Sequence, residues 1–513
     1  MDAQVIVVGA GPVGLMLAAE LRLGGADVLV LERLTKPMAE SRASTLHART
    51  MEILDQRGLL ERLGTPPSSG RGHFGGLTLD LSHVATPYPG QWKVPQSQVE
   101  HLLERWAIEL GVRILRGYDV HDMAVSADHI EVCGPAGAPR LRSAYVVGCD
   151  GEQSSVRRLA GIGSSGRQAD KGLLRGDIPG IDVPDRRFER LPGGLAIASR
   201  GPDDVTRIML HEHGPEDGVV TPEATFENLA RAWLKITGED ISGGTPVWVN
   251  AFSNVSLQAD RYRLGRVLLA GDAAHQQLPA GGQAINLGLH DAVNLGWKLA
   301  ADVTGRAPLG LLDSYHDERH PAGRHTLDNI EAQTLLLLGG REVDPARRVM
   351  AELIALPSVR DHLAATISGL GVRYGATCPG EHPLAGRRVP PVEIEMESGR
   401  TKVAALLRNG RGLLLDLSGG TQAVLDEALP DTVEQVSAKS ISDGPLAGVR
   451  RLLVRPDGHV AWVAGGATEL RSALHTWFCP PRAVRKGSAA PRATAQIQHG
   501  QIQHGTSIRK ERG

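Results

Sequence analysis

The most constraining feature of the sequence is a glycine-rich turn within its first fifteen residues. Gly9, Gly11 and Gly14 follow the pattern Gly-x-Gly-x-x-Gly, directly after the β-branched run Gln4–Val8 and before a stretch with helical apolar spacing. A second apolar run, Ala26–Glu32, comes next and ends in a carboxylate. A strand, a glycine turn, a helix and a second strand in this order predict the βαβ unit of a dinucleotide-binding domain.

Each residue type in this unit has a physical role. Gly9 permits the tight turn, Gly11 lets the backbone approach a pyrophosphate, and Gly14 allows the helix to pack closely on the strand. The start of the helix offers free N–H groups and a positive dipole end to the phosphates. Glu32 is placed to accept hydrogen bonds from ribose hydroxyls and would repel a 2′-phosphate, which predicts FAD or NAD at this site. Because no second turn of this kind stands in a βαβ setting, a nicotinamide cofactor is expected to bind transiently without its own Rossmann domain.

Two further motifs favour FAD. The first is CDGEQSSVR (Cys149–Arg157), directly after a predicted strand, and the second is LAGDAAH (Leu269–His275), followed by Pro279 and GGQAIN (Gly281–Asn286). Asp272, at a strand end, is an acceptor suited to ribityl hydroxyls. The GGQAIN stretch starts a helix and can present successive N–H groups to a pyrimidine carbonyl of a flavin, which favours the anionic reduced ring.

These motifs are similar to those of the single-component FAD aromatic hydroxylases, the group that includes para-hydroxybenzoate hydroxylase and phenol hydroxylase. The chain up to about residue 480 resembles the actinobacterial aromatic-polyketide hydroxylases of angucycline and anthracycline pathways. Other stretches that carry the resemblance are ESRA (Glu40–Ala43), HART (His47–Thr50), GHFGG (Gly72–Gly76), DAVNLGWK (Asp291–Lys298) and RPDGHVAW (Arg455–Trp462).

The resemblance implies a set of cofactor-binding residues. Asp150 and Gly151 belong to a motif linked to both FAD and nicotinamide binding, and Pro279 and Gly282 are expected to line the flavin ring. The full set of expected FAD contacts is Gly9, Gly11, Gly14, Glu32, Arg33, Arg42, Gln96, Asp150, Gly151, Asp272, Pro279, Gly282, Gln283, Ala284 and Asn286. No catalytic side chain is assigned, because the cofactor carries the chemistry.

The resemblance also implies the reaction. The expected activity is an FAD-dependent monooxygenase that hydroxylates a polycyclic aromatic polyketide, an angucyclinone-like phenol, through a flavin C4a-hydroperoxide. It would consume O2 and NAD(P)H, with NADPH favoured. Three alternatives stay open: a Baeyer–Villiger-type oxidative rearrangement, inactivation of an aromatic antibiotic on the same fold, and a non-catalytic flavin- or polyketide-binding protein.

One residue departs from the family pattern. The chain has Gly-Gly-Gln-Ala-Ile-Asn where Gly-Gly-Gln-Gly-Met-Asn is usual, so Ala284 replaces a glycine. The alanine is tolerated if its φ is negative. If the family glycine serves a positive φ or a movement of the ring, flavin reduction would be slowed.

The predicted fold class is α/β, in three parts. A Rossmann-type FAD-binding domain is expected to comprise residues 1–70, 96–170 and 262–310, interleaved with a mainly antiparallel substrate-binding sheet domain of residues 71–95 and 171–261. A helical connection (311–374), a polar linker from about 375 to 400 and a thioredoxin-like α/β domain (385–480) follow. The repetitive end, residues 484–513, predicts a disordered tail.

Composition excludes other classes of protein. The formal net charge of −2, from 56 basic and 58 acidic residues, gives no reason to expect nucleic acid or an acidic membrane as a partner. The four cysteines form no CxxC pair, so no metal site or disulfide framework is predicted. A cytoplasmic enzyme is expected, with a homodimer as one possible assembly.

Histidines near these motifs are predicted to be structural. His275 is expected to pack behind the flavin loop, and His73, His211 and His213 are expected to be ordinary strand or surface residues. The low aromatic content of 4% predicts a substrate pocket lined mainly by aliphatic side chains.

Overall fold

The computed structural model describes residues 1–37, 44–201, 204–213, 223–375, 380–418, 429–440 and 444–479. The predicted disordered tail and Arg42 lie outside these residues. The first part of the chain contains the following elements: strands β1 (Ala3–Val8), β2 (Val28–Glu32), β3 (Thr45–His47), β4 (Ser68–Ser69), β5 (Arg71–Phe74), β6 (Leu77–Asp80), β7 (Gln91–Lys93), β8 (Arg113–Arg116), β9 (Asp122–Val125), β10 (Ile130–Cys133), β11 (Leu141–Gly148) and β12 (Ser164–Arg167), and helices α1 (Pro12–Leu23), α2 (Ala48–Gln56), α3 (Leu60–Leu63), α4 (Gln96–Glu109) and α5 (Ser155–Leu159).

The predicted βαβ unit forms the centre of the first sheet. β1 pairs in parallel with β2 on one side and with β11 on the other, and β2 pairs in parallel with β8. β1, β2 and the second half of β11 are almost entirely apolar and buried because they lie inside the largest hydrophobic core of the described residues. Helix α1 begins at Pro12, whose fixed φ suits the first helical position. The loop between β1 and α1 therefore lies at the carboxyl edge of a parallel sheet, where ligands bind in such folds.

The middle of the chain forms a purely antiparallel sheet. Its elements are β13 (Gly172–Pro179), β14 (Arg186–Leu191), β15 (Gly194–Arg200), β16 (Val205–Glu212), helix α6 (Phe226–Thr237) and β17 (Trp248–Ser253), with the strand order β14-β15-β16-β13-β17. One face packs against α6 around the fully buried Trp233. The opposite face carries Leu173, Leu195, Ile197, Met209 and Phe252.

The chain then returns to the first sheet and forms a group of helices. These elements are β18 (Ser256–Ala259), β19 (Arg263–Leu264), β20 (Val267–Leu269), β21 (His275–Gln276), α7 (Gln283–Val303), α8 (Ser314–Leu338), α9 (Asp344–Ile354) and α10 (Pro357–Ile367). β20 extends the first sheet in parallel beside β11. Ile330, Leu337 and Leu338 of α8 pack on the apolar sheet face described above, which we call the α8 face.

The last described part is a small α/β unit. Its elements are β22 (Glu393–Met396), β23 (Gly399–Lys402), β24 (Gly412–Asp416), β25 (Val433–Ser437), β26 (Lys439–Ser440), β27 (Arg451–Val454), β28 (Val460–Val463) and α11 (Leu470–Trp477). β24 pairs in parallel with β25 and antiparallel with β27, which gives the mixed sheet expected of a thioredoxin-like unit. The predicted linker up to residue 400 is wrong at its end, because β22 and β23 form a hairpin there around the buried Ile394.

A buried network of charges joins this last unit to helices α7 and α8. Arg455 donates to Glu318 at 2.5 and 2.9 Å, and Lys298 donates to the same carboxylate at 2.7 Å. Burial alone would raise the pKa of Glu318, but the charges of Arg455 and Lys298 hold it at about 2. Since buried charges are costly unless they are fully paired, this network holds the small unit in one position on the rest of the protein.

Residues 71–95 contribute no strand to the antiparallel sheet. β5 and β6 form a separate two-stranded ribbon, and β7 lies between β3 and β4. The proposed division of the chain into domains stays a prediction. None of the helices in the described ranges is long and apolar enough to cross a membrane.

Candidate flavin and substrate site

The glycine turn after β1 has three different local environments. A Cβ atom at Gly14 would lie 1.9 Å from the carbonyl oxygen of Gly9, and one at Gly9 would lie 2.4 Å from the carbonyl oxygen of Cys149. Gly9 also has a φ of +106°, which residues other than glycine rarely adopt. By contrast, a Cβ at Gly11 would meet nothing within 4 Å. Gly9 and Gly14 are therefore required by packing, whereas the space beside Gly11 is open.

That open space lies at the start of α1. No side chain caps this helix, so its first N–H groups face the gap beside Gly11. Glu32, at the end of β2, accepts hydrogen bonds from the backbone N–H of Ala10 and of Leu34, both at 2.8 Å. These bonds fix the carboxylate beside the glycine turn. Free helix N–H groups, open space and an adjacent carboxylate fit the phosphates and ribose of a dinucleotide.

The loop after β11 is held by Asp150. Its carboxylate accepts from the Ser154 hydroxyl at 2.6 Å and from the Val156 N–H at 3.1 Å. Burial raises the pKa of Asp150, although these hydrogen bonds oppose the shift. The next residue, Gly151, has a φ of +82° and open space around its Cα. In this structure Asp150 shapes the loop, and Gly151 is the position where another molecule can approach the backbone.

Two consecutive glycines form the turn before α7. Gly281 and Gly282 have φ values of +64° and +71°, so both are left-handed and the following helix begins only at Gln283. Ala284 is the second residue of that helix and is absent from the positive-φ residues. The condition under which the alanine is tolerated is met. The side-chain amide nitrogen of Gln283 is buried and has no hydrogen-bond partner among the described residues, which leaves a donor for a ligand beside the turn.

Asn286 holds this turn against β3 and α2. Its Oδ1 accepts from the His47 backbone N–H at 2.9 Å and from the Thr50 hydroxyl at 2.7 Å. Its Nδ2 donates to the carbonyls of Thr45 at 3.1 Å and Gly282 at 2.7 Å. Four bonds to protein occupy this amide, so Asn286 positions the turn rather than facing the open space.

A buried ionic cluster lies behind the loop that follows β20. Asp291 accepts from Arg319 at 2.7 Å, from the Gly271 N–H at 3.1 Å and forms a 2.7 Å contact with Nε2 of His275. Burial would raise the pKa of Asp291, but the positive charge of Arg319 and the contact with His275 keep it lowered. The structure supports the structural role predicted for His275.

The remaining predicted residues lie around these loops. Asp272 and Pro279 are exposed, and Arg33 is exposed beyond the end of β2. Gln96 is the first residue of α4, and its amide donates to Glu100 at 2.8 Å. Arg33 directly follows β2 and Asp272 shortly follows β20, so both lie at the carboxyl edge of the first sheet.

Leu278 and helix α8 connect the turn of Gly281 and Gly282 to the antiparallel sheet. Leu278, just before the turn, packs with Leu173 and Leu195 of the α8 face. Gln333 of α8 links the two sides, because its Oε1 accepts from the Gly75 N–H at 3.3 Å and lies 3.7 Å from a Cβ placed on Gly281. This contact brings the β5–β6 ribbon beside the glycine turn, and we call the region between these two segments and the α8 face the cleft.

Polar side chains lie on the α8 face beyond its apolar centre. Arg207 donates to Asp177 at 2.7 Å from both Nε and Nη2. The guanidinium groups of Arg175 and Arg207 lie 5.2 and 5.5 Å from the ring centre of Trp248, which is half-buried. Trp248 is therefore held by cations on the face that looks toward the cleft.

His73 and Phe188 form one wall of the cleft. Their ring centres are 3.9 Å apart, and Phe188 has a φ of +52° at a register shift in β14. A bulky residue in the left-handed region is strained, and such strain is common at functional sites. Burial, followed by repulsion from Arg187, lowers the pKa of His73 to about 3, so its ring is neutral at ordinary pH.

Four residues of the cleft were not predicted from the sequence: Thr45, His47, Lys93 and Gln333. A Cβ placed on Gly282 would lie 2.9 Å from Cβ of Thr45 and 3.4 Å from Nε2 of His47, and that nitrogen is 2.8 Å from the Gly281 carbonyl. The His47–Thr50 stretch supported the family resemblance but carried no assigned role. The pairing of β3 with β7, which brings Lys93 to Thr45, has no signal in two three-residue strands.

Comparison with known proteins identifies the family. A family model for the FAD binding domain matches residues 2–330, and a model for the C-terminal part of aromatic-ring hydroxylases matches residues 382–481. The chain belongs to the FAD-dependent aromatic-ring hydroxylases. FAD is thus its cofactor, and flavoprotein monooxygenase its enzyme class.

Individual relatives of this hydroxylase cover almost the whole chain. It is 41% identical to the 12-dehydrotetracycline 5-monooxygenase/anhydrotetracycline 6-monooxygenase of Streptomyces rimosus subsp. rimosus, over 94% of this chain and 100% of the relative. The solved structure of CabE, an aromatic hydroxylase from angucycline biosynthesis, is similar with 46% identity and a TM-score of 0.88, over 94% of this chain and 100% of CabE. A third relative, the dialkyldecalin synthase of Streptomyces rugosporus, is 39% identical over 94% of this chain and 100% of the relative.

Proposed function

We propose that this flavoprotein hydroxylates a polycyclic aromatic polyketide of the phenolic type, with O2 and NAD(P)H as co-substrates. The observation that carries the proposal is the position of the α8 face of the antiparallel sheet beside the Gly281–Gly282 turn, to which Leu278 connects it. Its apolar centre, with Ile197, Met209 and Phe252 partly buried, suits a flat hydrophobic molecule. The names of the tetracycline and angucycline relatives point to the same class of substrate.

We further propose that FAD occupies the edge of the first sheet. The gap at Gly11 and the start of α1 would hold its phosphates. Each carboxylate oxygen of Glu32 accepts one backbone bond, and the remaining lone pairs would accept from the ribose hydroxyls. Gln283 and the turn before α7 would face the ring. When bound, FAD supplies hydride acceptance from NAD(P)H and activation of O2.

The side chains of the chain then have three tasks. The aliphatic α8 face excludes water from the reacting atoms, and Asn286 keeps the glycine turn at a fixed position. Phe188 and His73 form a wall that orients a planar substrate. We expect no side chain to transfer the oxygen atom.

The direct test is NADPH oxidation by the purified yellow protein, with and without a tetracyclic phenol, followed by mass analysis of the product. We expect substrate-stimulated oxidation and a product heavier by one oxygen atom. Fragmentation or NMR then shows whether the oxygen lies on a ring carbon or within a C–C bond, which separates hydroxylation from Baeyer–Villiger insertion.

A second function is favoured by one relative. The name dialkyldecalin synthase describes formation of a decalin rather than an oxygenation, and that protein matches this chain over its whole length. If the FAD-loaded protein transformed its substrate without consuming O2 or NADPH, a ring-forming function would replace the proposed monooxygenase function. The cytoplasmic location and a homodimer stay predictions.

A further inference from the structure

Lys93 is a cation of the cleft with no carboxylate partner among the described residues. It lies at the end of β7, opposite Thr45 of β3. Its Nζ donates to the Thr45 hydroxyl at 3.1 Å, and Thr45 contacts Gly282 of the turn before α7. Only the side chain of Thr45 thus separates the ammonium group from the turn that, in the proposed function, would face the flavin ring.

The charged groups around Lys93 are also cations. Partial burial, and then repulsion from Arg187 of β14 and Arg207 of β16, lower the pKa of Lys93. Arg207 is neutralised by Asp177, but Arg187 donates only to the carbonyls of Arg71 at 2.7 Å and Gly72 at 3.3 Å. Among the described residues, these two positive charges of the cleft, Lys93 and Arg187, therefore have no counter-charge.

The two histidines near Lys93, His47 and His73, supply no negative counter-charge. Burial lowers the pKa of His47 to about 4 and that of His73 to about 3, and the positive charge of Lys93 adds to the lowering of both. Lys93 itself is more than a third exposed, so its ammonium reaches accessible space rather than the packed core. An accessible, uncompensated ammonium among cations favours an anionic ligand.

We propose that Lys93 binds an ionised oxygen of the substrate, so that the site selects polycyclic phenols or enols that can carry a negative charge at the ring edge beside Gly282. The inference rests on the proposed function and narrows its substrate class. A charge-assisted hydrogen bond from the ammonium holds the oxygen, and Arg187 and Arg207 add to the field. A phenol held as its anion is also the more electron-rich partner for oxygen transfer.

The anionic oxygen could instead belong to FAD or to the phosphates of NADPH. Lys93 donates to Thr45 beside the turn before α7, whereas the proposed phosphate site lies at Gly11, in the turn between β1 and α1. We therefore assign the anionic oxygen to the substrate. The experiment below distinguishes binding of the substrate from binding of FAD and of NADPH.

The test uses the oxidised, FAD-loaded protein without NADPH, so that binding is measured without turnover. The probe is 1,2-dihydroxyanthraquinone, whose visible band moves to longer wavelength on ionisation, and its dimethyl ether is the uncharged control. The variants are Lys93→Met, which keeps the stem length, Lys93→Arg, which keeps the charge, and Lys402→Met as a control at an exposed lysine of the last unit.

We expect the wild type, Lys93→Arg and Lys402→Met to bind the probe with the ionised band at a pH where the free probe is neutral. Lys93→Met should bind it at least about tenfold more weakly and without that band, while the dimethyl ether binds all four proteins equally. FAD content and NADPH affinity should be unchanged in Lys93→Met.

Three results would overturn the inference. These are an ionised, tightly bound probe in Lys93→Met, an equal loss of the phenol and its ether, and a loss confined to FAD or NADPH. A protein that binds the ionised probe through Lys93 but oxygenates no substrate would contradict the proposed function and leave this inference standing.

Discussion

The amide of Asn286 donates to the carbonyl of Gly282, 2.7 Å away and one helical turn back along the chain. Gly282 is the left-handed residue directly before helix α7, which begins at Gln283, so this bond closes the first turn of the helix onto the glycine pair. The same amide accepts from Thr50 of α2. The position of the turn is therefore set by contacts from two separate parts of the sequence.

Replacement of Asn286 by Leu should release the turn. The Thr50 hydroxyl and the His47 N–H would lose their acceptor in a buried place, which costs about 2 kcal/mol or more of stability. FAD content, measured as flavin absorbance per protein after gel filtration, should fall as well. Asn286→Asp keeps the acceptors and loses the donors, so its stability and FAD content should lie between those of the wild type and Asn286→Leu. Full FAD retention in Asn286→Leu would contradict the positioning role.

Two alanine substitutions in the glycine turn should separate folding from cofactor binding. Gly14→Ala places a methyl 1.9 Å from the Gly9 carbonyl and should lower stability by about 2 kcal/mol or more. Gly11→Ala has open space and a φ of −74°, so its circular dichroism melting curve should match the wild type within about 0.5 kcal/mol. Gly11→Ala should nevertheless lose FAD, because the methyl fills the gap proposed for the pyrophosphate. Equal FAD content in Gly11→Ala and the wild type would exclude phosphates from that gap.

Ala284→Gly, which restores the usual family residue, should change little in the chemistry. Ala284 is helical, so glycine relieves no backbone strain and costs up to about 1 kcal/mol of helix stability. Stopped-flow reduction of the bound flavin by NADPH should proceed at the wild-type rate within about twofold. A severalfold acceleration would mean that the family glycine serves a movement of the ring.

Mild acid should destabilise the fold through its buried histidines. Burial lowers the pKa of His47, His211 and His459 to about 4 and that of His73 to about 3, against an ordinary value of 6.5. The unfolded chain therefore binds protons first, and stability present above pH 6.5 is lost as pH falls toward 4. Each histidine contributes up to about 1.4 kcal/mol per pH unit in that window.

Urea unfolding at pH 7.5 and pH 5.5 measures this loss. The carboxylates of Asp291, Glu318 and Asp457, whose pKa values are lowered, should add a second loss only below about pH 4.5. His211→Gln, with one depressed histidine fewer, should show a shallower change between the two pH values. Identical midpoints at pH 7.5 and 5.5 in the wild type would contradict the assigned pKa directions.

The local elements that form the flavin edge could be predicted from sequence, because their signals are local. The turn at Gly9, Gly11 and Gly14 lies between β1 and α1 as its spacing indicates, and α7 begins at Gln283, within the stretch Gly281–Asn286 that was predicted to start a helix. The hairpin of β22 and β23 was missed since its core residue, Ile394, stands in a polar stretch whose partner strand β26 comes more than forty residues later.

The sequence by itself predicted the cofactor class, since glycine conformations and strand-end carboxylates are encoded by neighbours in the chain, and its motifs carried the resemblance to the family. Tertiary structure decided which side chains meet at the cleft. Lys93 reaches Gly282 through the pairing of β7 with β3, and Gln333 joins Gly75 to Gly281 across separations of more than fifty residues. Such contacts depend on how strands pair and helices pack over long separations, and a short strand or a single buried amide carries no local pattern that reveals its partner.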